Sequence, residues 1–286
     1  MKYKLLLLFF TVTISYKSFS QTVDEYINLG LDELPKSKYS SAIDYLNKAI
    51  SLDPLNSETY FYKGIVYLYF IQNFDSAYIY FEKTQKLNPT NPQPYYHLAR
   101  IEFFRKNYEK ALTYSNKSII HTNINSEYYK VRSNIKLKLN DSIGCILDLD
   151  TAIILNPEDN YLILERGKSF SHFNYFNKAF QDFDYIISKC GKNGLCTSGV
   201  FYEKGKAYLK QNQYDNALIE FNKEFYNRRY MIETWGNEYY LNLYYYRGLT
   251  YINLNLINQA CADFKKAIDL GIDLNNPEYY LLKKYY

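Results

Sequence analysis

The sequence predicts an all-α protein, a right-handed α-α superhelix (solenoid) of about seven stacked helix pairs. Two series of small residues carry that expectation. The first, Gly30, Gly64, Ala99, Ser133, Gly167, Gly205 and Gly248, recurs at intervals of 34, 35, 34, 34, 38 and 43 residues. The second, Ala42, Ala77, Ala111, Cys145, Ala179, Ala217 and Ala260, follows it about twelve residues later. Two series in step mark one structural unit copied along the chain, each copy burying its apolar face against its neighbours. An array of that kind shifts the question from which reaction to which partner.

The first twenty residues are a separate object. Lys2 and Lys4 precede an apolar run from Leu5 to Ile14, and Ser18-Phe19-Ser20 places small residues where a signal peptidase reads. Residues 1–20 are therefore expected to be a secretory signal cleaved before Gln21, with the protein periplasmic or secreted. The run is too short to span a bilayer, which takes ~20 apolar residues for ~30 Å of hydrocarbon. No Cys follows it that could carry a lipid anchor.

The repeat array is expected over residues 21–275, each copy containing two helices. The first helix carries a bulky residue four positions before the small one and often an aromatic three after it, as in Tyr60-Gly64-Tyr67 and Tyr244-Gly248-Tyr251. The second reads small, bulky, small, as in Ala42-Leu46-Ala49 and Ala260-Phe264-Ala267. Spacings of three and four put these side chains on one helix face. Pro54, Pro89 and Pro157 fall where the second helix should stop.

At these residues the chain resembles the tetratricopeptide repeat family, whose 34-residue pattern sets an aromatic, Leu-Gly, Tyr, Ala, Phe, Ala and Pro at fixed places. Tyr26, Leu29-Gly30, Tyr39, Ala42, Leu46, Ala49 and Pro54 match it, as do Gly205, Tyr208, Tyr214, Ala217 and Phe221. Ser115 and Ser118, and Glu224 in the sixth copy, depart from it, so looser or rearranged interfaces are expected there.

Two intervals exceed the period. One holds Cys190 and Cys196 around Gly-Lys-Asn-Gly-Leu. In an oxidising compartment a disulfide is the favoured reading, with free thiols and a metal pair as alternatives. Cys145 and Cys261 read as small packing residues. The other interval holds an insertion of about Asn227 to Tyr240 with Arg228, Arg229 and the single Trp, Trp235. It is either an extended helix or an element projecting from one edge. Residues 276–286 are expected to form a helix capping the last apolar flank.

Composition narrows the function. Hydrophobic residues make up 47% of the chain, ample for burial, and the 35 tyrosines suit half-buried helix faces or an aromatic binding surface. Loss of Lys2, Lys4 and Lys17 with the signal leaves 31 basic residues against 30 acids, which gives no bulk attraction to nucleic acid or anionic membrane. The three histidines, His97, His121 and His172, fall in different copies and form no metal pair. No nucleophile elbow, phosphate loop or dinucleotide fingerprint is present, so neither an enzyme nor a cofactor is expected. Two functions stand: an interaction scaffold for a protein or peptide partner, and a periplasmic assembly factor or chaperone for envelope proteins.

The family resemblance implies a concave groove lined by the first helices. Transferred residue by residue, it nominates Tyr96, Arg100, Lys130, Asn134, Lys168, Tyr202 and Lys206 as partner-binding residues. One basic side chain per copy through four copies reads either as solvated surface charge or as a basic strip for an acidic or aromatic segment. The carboxylate clamp known in the family begins with a pair like Lys130 and Asn134. Glu165 and Glu203 then stand where donors are required, so that clamp is rejected.

Overall fold

The computed structural model describes residues 21–190, 199–228, 237–274, 276, 279 and 282. Among these the backbone forms fourteen α-helices, one π-helical segment and no strand. The chain divides into two compact units, residues 1–123 and 124–286, each built of helix pairs of the α-α solenoid class. The first unit pairs α1 (Val23–Asp32) with α2 (Tyr39–Leu52), α3 (Ser57–Ile65) with α4 (Phe74–Leu87), and α5 (Pro92–Phe104) with α6 (Tyr108–His121). The second pairs α7 (Ser126–Lys138) with α8 (Ser142–Leu155), and α9 (Asn160–His172) with α10 (Phe176–Cys190). It continues with α11 (Val200–Lys210) against α12 (Tyr214–Arg228) and α13 (Asn237–Asn253) against α14 (Ile257–Asp269).

Local chemistry sets where these helices begin and end. Thr22 and Glu25 form a reciprocal capping box at α1, and Asn56, Asn73, Asn91, Asn125, Asp141 and Asp159 each accept a backbone N–H of the helix they precede. Between the two helices of every pair one residue takes the left-handed conformation: Ser37, Gln72, Lys106, Asn140, Asn174, Asn212 and Asn255. Each lies five positions before the small residue that opens the second helix. Asn tolerates this conformation better than other side-chain-bearing residues, and four of the seven are Asn.

The second pair contains one residue more than the others. Gly64 and Ala77 are thirteen positions apart, whereas the other six intervals are twelve. The helix absorbs the insertion as the π segment Val66–Ile71, and the turn closes with Asn73 N–H bonded to Tyr67 C=O, six residues back. The corresponding bonds, such as Asn107 to Glu102 and Tyr175 to Phe170, span five. Single-turn π-bulges arise from such one-residue excesses.

All fourteen small residues of the two series are buried. Four of the glycines face a ring sixteen or seventeen positions on: Phe81, Phe183, Phe221 and Phe264, all fully buried. A Cβ added at Gly64 would lie 2.7 Å from Phe81 Cε1, and one at Gly205 would lie 2.6 Å from Phe221 Cε1. Size is conserved across the crossing instead of residue type. Where the small residue is Ala99, the facing register holds Ser115, and where it is Ser133 it holds Leu149. Ser115 and Ser118, where a looser or rearranged interface is expected, keep the register of the other copies, and Ser115 Oγ is buried without a hydrogen-bond partner. Both serines are buried, and Ser118 Oγ donates to Ser115 C=O at 2.7 Å.

Glu224 does rearrange its surroundings. Gly199, which precedes α11, has no side chain to cap it, and the buried Glu224 carboxylate supplies the missing acceptor. It takes the N–H groups of Gly199 at 3.2 Å and Tyr202 at 3.3 Å, and the Tyr239 hydroxyl at 2.8 Å. A carboxylate at a helix N-terminus satisfies orphan donors and complements the dipole.

At the C-terminal end Tyr279 and Leu282 are buried against Leu241, Tyr245 and Phe264, and Tyr279 donates to Asn242 Oδ1 at 2.7 Å. Residues 1–20, Cys196, Arg229 and Trp235 lie outside the described residues, as do the side chains of Cys190 and Arg228.

Candidate functional site

The first helices of the second unit, α7, α9, α11 and α13, share a face that carries the lysines of the nominated strip. Lys168 sits on α9 and Lys206 on α11, each one position after a close-packed glycine. That register belongs to Asn134 on α7, so Lys130 stands one helical turn ahead of the row.

The charges are not free. Glu165 accepts from Lys168 at 2.6 Å, Glu203 pairs with Lys206 at 3.2 Å, and Glu127 pairs with Lys130, each acid three positions before its lysine on the same helix. Burial works to lower the Lys168 pKa, but the charge and hydrogen bond of Glu165 overcome it and hold the ammonium above its ordinary value. The face is thus a ladder of alternating acid and base. This corrects the expectation of a basic strip, and Glu127, Glu165 and Glu203 are visible in the sequence at the helical spacing that forms such pairs.

Between these pairs lies a cavity of about 440 Å³ lined by Leu137, Glu165, Lys168, Glu203, Lys206 and Tyr246, among others. Lys206 lies over the rings of Tyr202 and Tyr246, 5.0 and 5.4 Å from their centroids, and Lys130 lies 5.5 Å from that of Tyr161, which is exposed. Lys210 closes one end by donating to the C=O groups of Ser171 and His172 at 3.1 and 2.9 Å. Tyr202 corrects a second expectation. It is buried in a cluster with Phe221 and Leu243, so it supports this face from beneath.

Arg100 and Tyr96 belong to the first unit. The Arg100 guanidinium lies between Tyr69 and Tyr96, 5.6 and 5.5 Å from their centroids, and donates to the Tyr69 hydroxyl. The four nominated cations therefore fall into two local sites, one in each unit.

Sequence reasoning missed a second polar row. Arg132, Arg166 and Arg247, each just before the small residue of its first helix, grip Asp148, Asp182 and Asp263 sixteen positions on, with two bonds of 2.6–2.9 Å each. Arg166 also donates to Asp150 and Arg247 to Asn222, both on the second helix of the preceding pair. The guanidinium fork suits such bidentate contacts, and here it ties successive pairs together. The signal was the recurring Arg and Asp at one spacing.

No three His, Cys, Asp or Glu side chains converge to hold a metal among the described residues, and no helix among them is long and apolar enough to cross a membrane.

Comparison with known proteins agrees with this architecture. The Tetratricopeptide repeat family profile matches residues 198–223 and 241–270. The TPR repeat-containing protein MJ1428 of Methanocaldococcus jannaschii is 25% identical over 190 residues, 64% of this chain. The match spans only 27% of that relative's length. Among solved structures, a tetratricopeptide repeat protein from Parabacteroides merdae superposes with a TM-score of 0.72 at 20% identity, covering 92% of this chain and 98% of its own. YrrB, described as a TPR protein with an unusual peptide-binding site, gives 0.54 at 16% identity, covering 65% of this chain and 94% of its own. PilW, described as a type IV pilus biogenesis factor, gives 0.61 at 13% identity, covering 74% and 96%. With fourteen small residues in register and the family profile matched on its two last pairs, the chain carries tetratricopeptide repeats at residues 198–223 and 241–270, within a fold shared by solved tetratricopeptide repeat structures.

Proposed function

We propose that this protein is a non-catalytic scaffold in the exported compartment that holds a peptide segment of its partner on the α7–α13 face. The cavity between the Glu165–Lys168 and Glu203–Lys206 pairs carries the reading. Its polar rim offers donors and acceptors in alternation, while Leu137, Leu209 and Tyr246 supply apolar contact area. A few placed polar groups around an apolar floor suit a side chain and its flanking backbone. The peptide-binding site named for YrrB supports the same class of ligand. Because each lysine already has a carboxylate, a strongly acidic segment would have to displace Glu165 and Glu203. The partner segment is accordingly one of low net charge.

The test is affinity capture with cross-linking from the protein's own cell envelope, using wild type and Lys168→Glu with Lys206→Glu. Loss of the two lysine donors that rim the cavity is expected to weaken capture roughly tenfold. Wild-type capture is expected to vary little with salt, since the face has little net charge to screen. Undiminished binding by a folded variant would remove the site. Suppression of aggregation of several unrelated unfolded proteins would favour the chaperone reading.

Intact-mass measurement on the exported protein checks the compartment. The mature chain is expected to start at Gln21. A mass that retains residues 1–20 would count against export by cleavage.

A further inference from the structure

The turns joining the paired helices of the first unit carry an apolar row that the peptide-binding reading does not use. The π segment ends in Phe70 and Ile71, which are 37% and 38% exposed, and Phe74 and Phe104 on the same and the next turn are 43% and 63% exposed. The rings fall into two contacting groups. Tyr39 lies 5.5 Å from Phe70, and Phe104 lies 6.1 Å from both Phe74 and Phe103. Between Phe74 and Phe104 runs a shallow open cleft floored by Ile101.

Charge says what covers it. Residues 33–38, 70–75 and 104–107 hold four cations, Lys36, Lys38, Arg105 and Lys106, against two acids, Glu33 and Asp75. Lys36 takes Glu33 at 2.7 Å and Arg105 takes Asp75, so Lys38, 3.9 Å from Glu33, and Lys106 remain as surplus. Aromatic rings and Arg are common in protein interfaces, but Lys is depleted there, so it is the surplus lysines beside the rings that set this edge apart from one. They are the composition of a surface lying in a bilayer headgroup region, rings among the upper acyl chains and ammonium groups against lipid phosphate.

We propose that this turn edge of the first unit seats the protein on an anionic membrane surface. Phe70, Ile71, Phe74 and Phe104 are the inserting side chains, and the surplus Lys38 and Lys106 are the phosphate contacts. The one-residue insertion at Val66–Ile71 helps to present this row, since two of its four inserting residues close the π segment.

The test is flotation of the whole protein with phosphatidylglycerol vesicles and, separately, with phosphatidylcholine vesicles. Wild type is expected to float with the anionic vesicles and far less with the zwitterionic ones. Phe70→Ser, Phe74→Ser and Phe104→Ser together are expected to lower the bound fraction on the order of tenfold. Lys38→Glu and Lys106→Glu together are expected to abolish the preference for anionic lipid while leaving the helical circular dichroism unchanged. They therefore decide the matter even if the Phe variant folds poorly. Wild type that does not float with phosphatidylglycerol overturns the proposal, as does equal flotation of a folded Phe variant. A protein partner lost on the Phe substitutions without any vesicle binding would also overturn it.

Discussion

Gly205→Leu is expected to destabilise the second unit by more than about 3 kcal/mol, at the upper end of overpacking costs. The first added carbon alone would sit 2.6 Å from Phe221 Cε1. That ring is fully buried in a cluster with Tyr202, Ala217 and Leu243, so it cannot swing aside. The protein itself indicates the remedy. Where its first helix carries a Cβ at this register, the facing ring is replaced by a smaller side chain, as in Ser133 with Leu149. Gly205→Ala alone should therefore cost ~1–3 kcal/mol, and adding Phe221→Leu should recover much of it. A double-mutant cycle by denaturant unfolding measures that coupling, and a coupling of zero would mean the two residues do not define each other's space. Hydrogen exchange should show the damage concentrated in α11, α12 and the pairs beside them, because stability in such arrays is largely a nearest-neighbour property.

The same packing explains how much of the fold was readable beforehand. A small residue opposite a large one is a demand made on one position at a time, so it leaves a mark in sequence that survives drift elsewhere. That is why seven pairs were legible from Gly30 to Ala260. The extra residue between Gly64 and Ala77 was equally visible as a count of thirteen, but its consequence, a π segment, depends on hydrogen-bond geometry that no single residue type announces. The candidate site was harder. A lysine that recurs along a helix face looks like a positive strip until the acid three positions earlier is counted with it, as at Glu165 and Lys168. Tyr202 shows the other failure. Its position in the pattern faces the groove, yet Tyr239 and Tyr246 crowd over it, 5.5 and 5.8 Å between ring centroids, and draw it into the core. Long-range aromatic packing of that kind follows from where α13 begins, after a long insertion whose effect on register the repeat pattern does not specify.

Acidification is expected to cost the first unit several kcal/mol before its carboxylates titrate, through His97. The imidazole is 8% exposed and stacks on Phe81 at 4.8 Å, with Phe61, Tyr69 and Tyr96 around it and the charge of Arg100 nearby. Its Nδ1 is buried without a hydrogen-bond partner, so nothing in the site rewards a second proton. Burial, aided by Arg100, drives its pKa from 6.5 down to about 3. The unfolded chain therefore binds a proton below pH 6.5 that the folded chain refuses, and unfolding becomes easier as pH falls. The stabilisation is complete above pH 6.5, declines by about 1.4 kcal/mol per pH unit below it, and is gone near pH 3. Between neutrality and the carboxylate range that amounts to roughly 2–3 kcal/mol. His97→Leu removes both the titration and the unsatisfied ring nitrogen, so it should flatten this part of the profile and leave neutral-pH stability equal or higher. His172 is retained in the variant and cancels in the comparison. Chemical denaturation of the two proteins from pH 7 to pH 4.5 makes the measurement. Parallel profiles would show that the aromatic box accepts the charged ring after all.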